Sequence, residues 1–164
     1  MSFQINISVR LLLFFGLSSL MLQSCDIYKP GVQDVGETYY VSLQGDDDNP
    51  GTKEKPWQSI SKVNEIDFKP GDHILFEGGS VFDGTLVFDG SDAATAKHNI
   101  HISSFGEERA TINGGEKWAL TATSCNHLAI NNLTFTGSGR LSGNTSDGVL
   151  LEECDSINLS ELEV

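Results

Sequence analysis

A chain of 164 residues with 38% apolar side chains can bury one sizeable core, and its 17 glycines allow frequent tight turns. Ten basic against 23 acidic side chains give a formal charge of −13, so the sequence has no basic stripe to neutralise phosphates, and nucleic acid is excluded as a partner. The same acidity repels acidic substrates unless a cation or a local basic groove intervenes.

Residues 1–24 read as a leader. Arg10 precedes the apolar run LLLFFGL, and small and polar residues lead up to Cys25, the layout of a secretory signal. The run is too short and too soon interrupted to span a membrane. Leu22-Gln23-Ser24-Cys25 resembles the bacterial lipobox, in which the cysteine becomes the lipidated first residue of the mature protein. That resemblance implies an exported chain, lipid-anchored through Cys25 in the bacterial cell envelope (outer membrane or cell surface) without crossing the membrane. A simple secretory signal with an incidental cysteine is the alternative. Residues 25–37 lack periodicity and read as a tether.

The folded part is expected over 38–164. Tyr39-Tyr40-Val41 opens it with β-formers, Asn49-Pro50-Gly51 is a turn, and Pro56 fixes the entry to the next element. Trp57, Ile60, Val63 and Ile66 then fall on one face of a short helix, which suits a cap over the first strand layer. Lys69-Pro70-Gly71-Asp72 turns into His73–Phe76, the first buried strand, and Thr85–Phe88 comes after a turn at Gly84. Next comes Asn99–Phe105, whose Ile100, Ile102 and Phe105 match Leu128, Ile130 and Leu133 at a shift of 28. Residues 119–135 and 148–164 repeat one pattern at a shift of 29. Leu120 falls on Val149, Cys125 on Cys154, Asn126 on Asp155 and Ile130 on Leu159.

Short period-two runs separated by turn residues, repeated at this length with no helix between, predict an all-β solenoid: a parallel β-helix. The LxLxxN spacing of leucine-rich repeats is absent, and a cysteine recurring at one register argues against a two-sheet sandwich. The segment YYVSLQGDDDNPGTKEKPWQSISKV…FKPGDHILFEGG resembles the N-terminal cap and first coil of bacterial right-handed parallel β-helix proteins. That group includes calcium-dependent pectate lyases, chondroitinase-B-like lyases and many extracellular proteins. The resemblance covers about residues 38–164. It implies a right-handed, single-stranded, pectin-lyase-like solenoid and a polysaccharide-acting or polysaccharide-binding protein outside the cytoplasm. The pattern stops at Val164 inside a strand, so a chain truncated at its C-terminal end, or a natural fragment of a longer solenoid, is expected.

Candidate chemistry is sparse. Asp46, Asp47 and Asp48 form the densest acidic cluster and are the candidate calcium ligands, set against a plain solvated turn before Asn49. A lyase needs a base beside a uronate carboxylate. The coils offer only Lys97, Arg109, Lys117 and Arg140, none joined to an acidic cluster at coil spacing. Asn144–Gly148 resembles the Asn-Thr-Asp-Gly signature of polygalacturonases with one extra residue. The rest of that signature is missing, and an Asp-Gly turn is the simpler reading of Asp147. Asp92 and Asp147 have no visible reason to converge as a glycosidase pair. His73, His98, His101 and His127 show no zinc spacing. Cys125 and Cys154 are expected as a buried, reduced ladder, because in-register strands hold β-carbons wider apart than a disulfide prefers, with a disulfide, which export would permit, as the alternative. Asn126 and Asp155 stack after them as left-handed corner residues.

Two functions remain. One is the N-terminal portion of an extracellular lyase or glycosidase whose catalytic coils lie beyond Val164, leaving no catalytic residue here. The other is a non-catalytic glycan-binding or spacer module. Either takes polysaccharide as partner and meets the membrane only through the lipid, and the sequence sets no oligomeric state.

Overall fold

The computed structural model describes residues 36–92, 94–139 and 148–164. Cys25, the tether up to residue 35, Arg140 and the stretch 144–147 with Asp147 lie outside the described residues. Eleven strands and a single helical turn are present among the described residues. They are β1 (Thr38–Val41), α1 (Ile60–Val63), β2 (His73–Glu77), β3 (Val81–Asp83), β4 (Leu86–Phe88) and β5 (Ile100–Phe105). The chain continues with β6 (Ala110–Asn113), β7 (Leu120–Thr123), β8 (Leu128–Asn131), β9 (Leu133–Thr136), β10 (Val149–Glu152) and β11 (Asn158–Ser160).

Every strand pairs in parallel with a strand one coil away. The result is three parallel sheets, in the orders β1-β2-β5-β8-β11, β4-β7-β10 and β3-β6-β9. The shifts read from sequence are the registers: Ile100 pairs with Leu128, Leu120 with Val149 and Ile130 with Leu159. This is a β-helix-like architecture. Because period-two alternation sends every second side chain inward, like residues stack in columns. Ile74, Ile102 and Ile130 form one column and Phe82, Ile112 and Phe135 another, all buried.

Two expectations are corrected. No capping helix of the predicted length forms: α1 is one turn, and Trp57 is not on it. The Asn-Pro-Gly loop folds back instead, so that Trp57 bridges Val41 in parallel and Tyr40 N–H donates to the Gly51 carbonyl. The free edge of β1 is thus covered by this loop. Trp57 stacks on Tyr39 with ring centroids 4.7 Å apart and donates its indole N–H to the Asn49 carbonyl at 2.9 Å. Gly51 has φ +82°, and a Cβ there would sit 2.7 Å from the indole, so both conformation and space demand glycine.

The second correction concerns the coil corners. Asn126 and Asp155 do not take the left-handed region. The residues there are Ser124, His127 and Asn132, with Glu153, Ser156 and Glu161 one repeat later. The short turn between β7 and β8 has left-handed residues at its two ends, which leaves Asn126 extended enough to pair across the coils. Asn126 and Asp155 form a parallel bridge, and Asn126 Oδ1 accepts the Asp155 N–H at 2.8 Å.

Candidate functional site

The outward side of the five-stranded sheet carries two ring pairs, His73 with His101 and Tyr40 with Phe105. β2 alternates in burial, so His73, Leu75 and Glu77 point out while Ile74 and Phe76 point in. The same alternation on β5 turns out His101, Ser103 and Phe105. His73 pairs with His101 in the ladder, and the rings stack with centroids 4.7 Å apart and planes 9° from parallel. Burial, and then the facing His73, hold His101 below the ordinary imidazole range. Tyr40 meets Phe105 edge-on at 5.3 Å. Ser103 Oγ donates to Asn131 Oδ1 at 2.7 Å, and Ser42 Oγ donates to the Glu77 carboxylate at 2.7 Å. Glu77 is the one carboxylate on the outward rungs of β2, β5 and β8, although the chain carries a charge of −13. A nearly uncharged face of rings, hydroxyls and amides suits the apolar faces and hydroxyls of a neutral sugar better than a polyanion. From sequence these histidines were weighed only for zinc spacing; the signal was the shift of 28 between His73 and His101.

The acidic candidates are taken up by structure. Asp47 Oδ1 accepts the N–H groups of Gln58 and Ser59 at 2.8 and 2.9 Å, and its Oδ2 accepts the Ser59 hydroxyl at 2.6 Å. Burial alone would raise this carboxyl, but those hydrogen bonds and then Lys62 outweigh it and hold the group below the ordinary range. Asp46 accepts the Asp48 N–H, the geometry of a turn. Among the described residues no three His, Cys, Asp or Glu side chains converge as a metal site.

Asp92 is buried, with its two oxygens accepting the N–H groups of Phe68 and Asp89. Burial pushes its carboxyl up, partly opposed by those hydrogen bonds. With both oxygens engaged by backbone, it clamps the loop after β4. Asp67 and Asp89 share the Ser91 hydroxyl beside it. Lys97 and Lys117 are exposed, and Arg109 lies 4.0 Å from Glu163. Of these three, Arg109 is the one with an ion-pair partner among the described residues. Cys125 and Cys154 stand on adjacent coils with sulfurs 3.5 Å apart, both as free thiols.

No family model matches the chain. It is 35% identical over 133 residues to the lacto-N-biosidase of Bifidobacterium longum subsp. longum, an alignment covering 79% of this chain and 8% of that protein. The GH136 lacto-N-biosidase from Eubacterium ramulus superposes with a TM-score of 0.62 at 25% identity as its selenomethionine derivative. Its native form gives 0.61 at 26% identity. Each superposition covers 77% of this chain and 26% of the other. The chain therefore spans about a quarter of the solved relatives and less of the curated one.

Proposed function

We propose that this chain is the N-terminal portion of an exported, glycan-active protein of the glycoside hydrolase kind. In this reading the stacked sheets are the first coils of a right-handed, single-stranded parallel β-helix, the hand taken by nearly all parallel crossovers. The chain reaches the envelope behind a signal of residues 1–24, and a lipid on Cys25 with a short tether holds it at the membrane surface. The observation that carries the proposal is the 35% identity over 133 residues to a lacto-N-biosidase, supported by the superposition on another at a TM-score of 0.62.

A glycosidase needs two carboxyls placed about 5–9.5 Å apart around the scissile bond, one of them free to hold and deliver a proton. Among the described aspartates, Asp47, Asp89 and Asp92 are engaged in loop hydrogen bonds. In this reading the catalytic pair lies on coils beyond Val164, and the residues described here build the scaffold on which those coils stack. The test is to express the reading frame continued past the codon for Val164 and assay lacto-N-biosidase activity, with acidic polysaccharides, with and without calcium, as comparators. Release from the neutral substrate alone supports the reading. Background rates on every substrate sink it.

The nearly uncharged outward face of the five-stranded sheet favours a second reading, a non-catalytic module that binds neutral glycan. Binding without turnover by the same continued frame would select it.

A further inference from the structure

Neither the fold nor the glycan reading makes use of the two thiols on the repeat. Cys125 and Cys154 are separated by 29 positions, one coil, and their sulfurs lie 3.5 Å apart. Parallel rungs hold backbones about 4.8 Å apart. The two side chains therefore lean toward each other across the gap, which brings the sulfurs into contact although in-register strands set the β-carbons wider apart than a disulfide prefers. The backbone around them is tied on both sides. Ser124 N–H donates to the Glu152 carbonyl at 2.9 Å, His127 N–H to the Asp155 carbonyl at 3.1 Å, and Asp155 N–H to Asn126 Oδ1 at 2.8 Å. Sliding of one turn past the other would break all three. The Cys154 sulfur lies 3.2 Å from both the Ala122 carbonyl of the preceding coil and the Glu152 carbonyl of its own. Cys25 is the remaining cysteine of the sequence.

We propose that Cys125 and Cys154 are a disulfide site, oxidised to an inter-coil bridge by exchange with a disulfide-bearing oxidant. A bridge requires sulfurs about 2.05 Å apart, so each must move on the order of 0.7 Å, by rotation about χ1 together with a small approach of the two rungs. The exchange balances in two steps. Cys154 is half-buried where Cys125 is 2% exposed, so Cys154 reacts first. As a thiolate, its proton lost to solvent, it attacks one sulfur of the oxidant, whose other sulfur leaves as a thiol. Cys125 then gives up its proton and attacks the Cys154 sulfur of the mixed disulfide, releasing the oxidant's second half as a thiol. Two S–H bonds become one S–S bond, and one oxidant disulfide becomes two thiols. In the reduced pair burial, and then the hydrogen bond with Cys154, push the Cys125 thiol up to about 12. The bond closes the chain between the two positions and fastens the β10–β11 coil, with its 40% exposed Leu151 and Leu159, to the coil before it.

The inference leans on the proposed export only for where the oxidant is met; the chemistry is tested apart from it. The full chain carrying Cys25→Ser, reduced and freed of reductant, is exposed to oxidised glutathione at about pH 8.5. The expected result is a mass lower by two hydrogens, no thiol titratable after denaturation, and a non-reduced peptide joining Cys125 to Cys154. The melting temperature rises by several degrees and falls back with dithiothreitol. Adding Cys154→Ser abolishes that rise. Two titratable thiols, or a lasting glutathione adduct, in a chain whose circular dichroism remains that of β-structure would overturn the proposal. A second arm traps thiols during isolation of the full chain made with its own leader. Recovery in the reduced form there, beside clean oxidation in the first arm, counts against export and leaves the disulfide site standing.

Discussion

The coil formed by β8 and β9 and the coil after it carry the same pattern in the same register, and they are buried very differently. Leu128, Ile130, Leu133 and Phe135 are fully buried, whereas at the equivalent positions Leu159 is 40% exposed and Val164 79%. The register is not the difference, since β11 lies on β8 as β8 lies on β5, but β8 has a strand on each side and β11, among the described residues, on one side only. A solenoid residue receives half of its burial from the coil before it and half from the coil after it. One sequence pattern can therefore be a core or a half-exposed surface, depending only on what stacks next.

The sharpest way to break this comparison is to truncate matched positions. Ile130→Ala should cost about 3–4 kcal/mol, the range for emptying a fully packed site, while Leu159→Ala in the same column should cost about 1 kcal/mol. Urea denaturation of both variants measures the gap, and equal losses would show that the coils do not share burial as described. A smaller effect, about 1–2 kcal/mol, is expected for Asp47→Ala, which strips the acceptors from Gln58, Ser59 and the Ser59 hydroxyl at the β1 end. The same denaturation should find Asp48→Ala nearly neutral.

Acid should weaken the chain in a defined order. His101 titrates below its unfolded value, so above about pH 6.5 it is neutral in both states. As pH falls through that value the unfolded chain takes up a proton first, and stability is lost until folded His101 also protonates. Asp47, depressed in the fold, adds a further loss as pH falls below the ordinary aspartate value. Asp92, raised by burial, works the other way: its contribution is fully present in acid and is lost as pH rises through its folded value. A melting series in His101→Asn should lose the first of these slopes and keep the carboxylate slopes. The smallest expected change is a gain of about 0.5 kcal/mol from Glu153→Gly, which relieves a left-handed corner at φ 53°. Ser124→Gly one coil earlier should gain no more, since either change also removes the hydrogen bond that the Ser124 hydroxyl donates to the Glu153 carboxylate at 3.0 Å.

This architecture also decides how much of itself the sequence displays. The columns were visible because registers of 28 and 29 residues bring like side chains together, as Ser103 meets Asn131 and Cys125 meets Cys154. Strand β3 was not visible, because three residues with one buried phenylalanine carry no periodic signal. The corners at Ser124, Glu153, Ser156 and Glu161 were hidden for another reason: none of those residue types favours positive φ, and the closed coil imposes it. The helical spacing of Trp57, Ile60 and Val63 overstates the helix. Trp57 gains more by bridging Val41 and stacking on Tyr39 than by joining a single turn. The role of Asp47 could not have been foreseen, since it depends on a loop bringing Ser59 back across 12 positions. The candidate glycan face was half legible: the histidine register was there to be counted, but that Tyr40 and Phe105 share the face needed the fold.

Asn64 has a consequence that reaches past this one chain. Its amide donates to the Thr85 carbonyl at 2.9 Å and accepts the Val87 N–H at 3.0 Å, so one side chain fills the place a further rung would take beside β4. Another molecule approaching end-on finds those hydrogen-bonding groups already satisfied and has no template there to extend. Growth of that sheet can run only away from Asn64, which gives the stack a direction and guards it against fibre formation from that side.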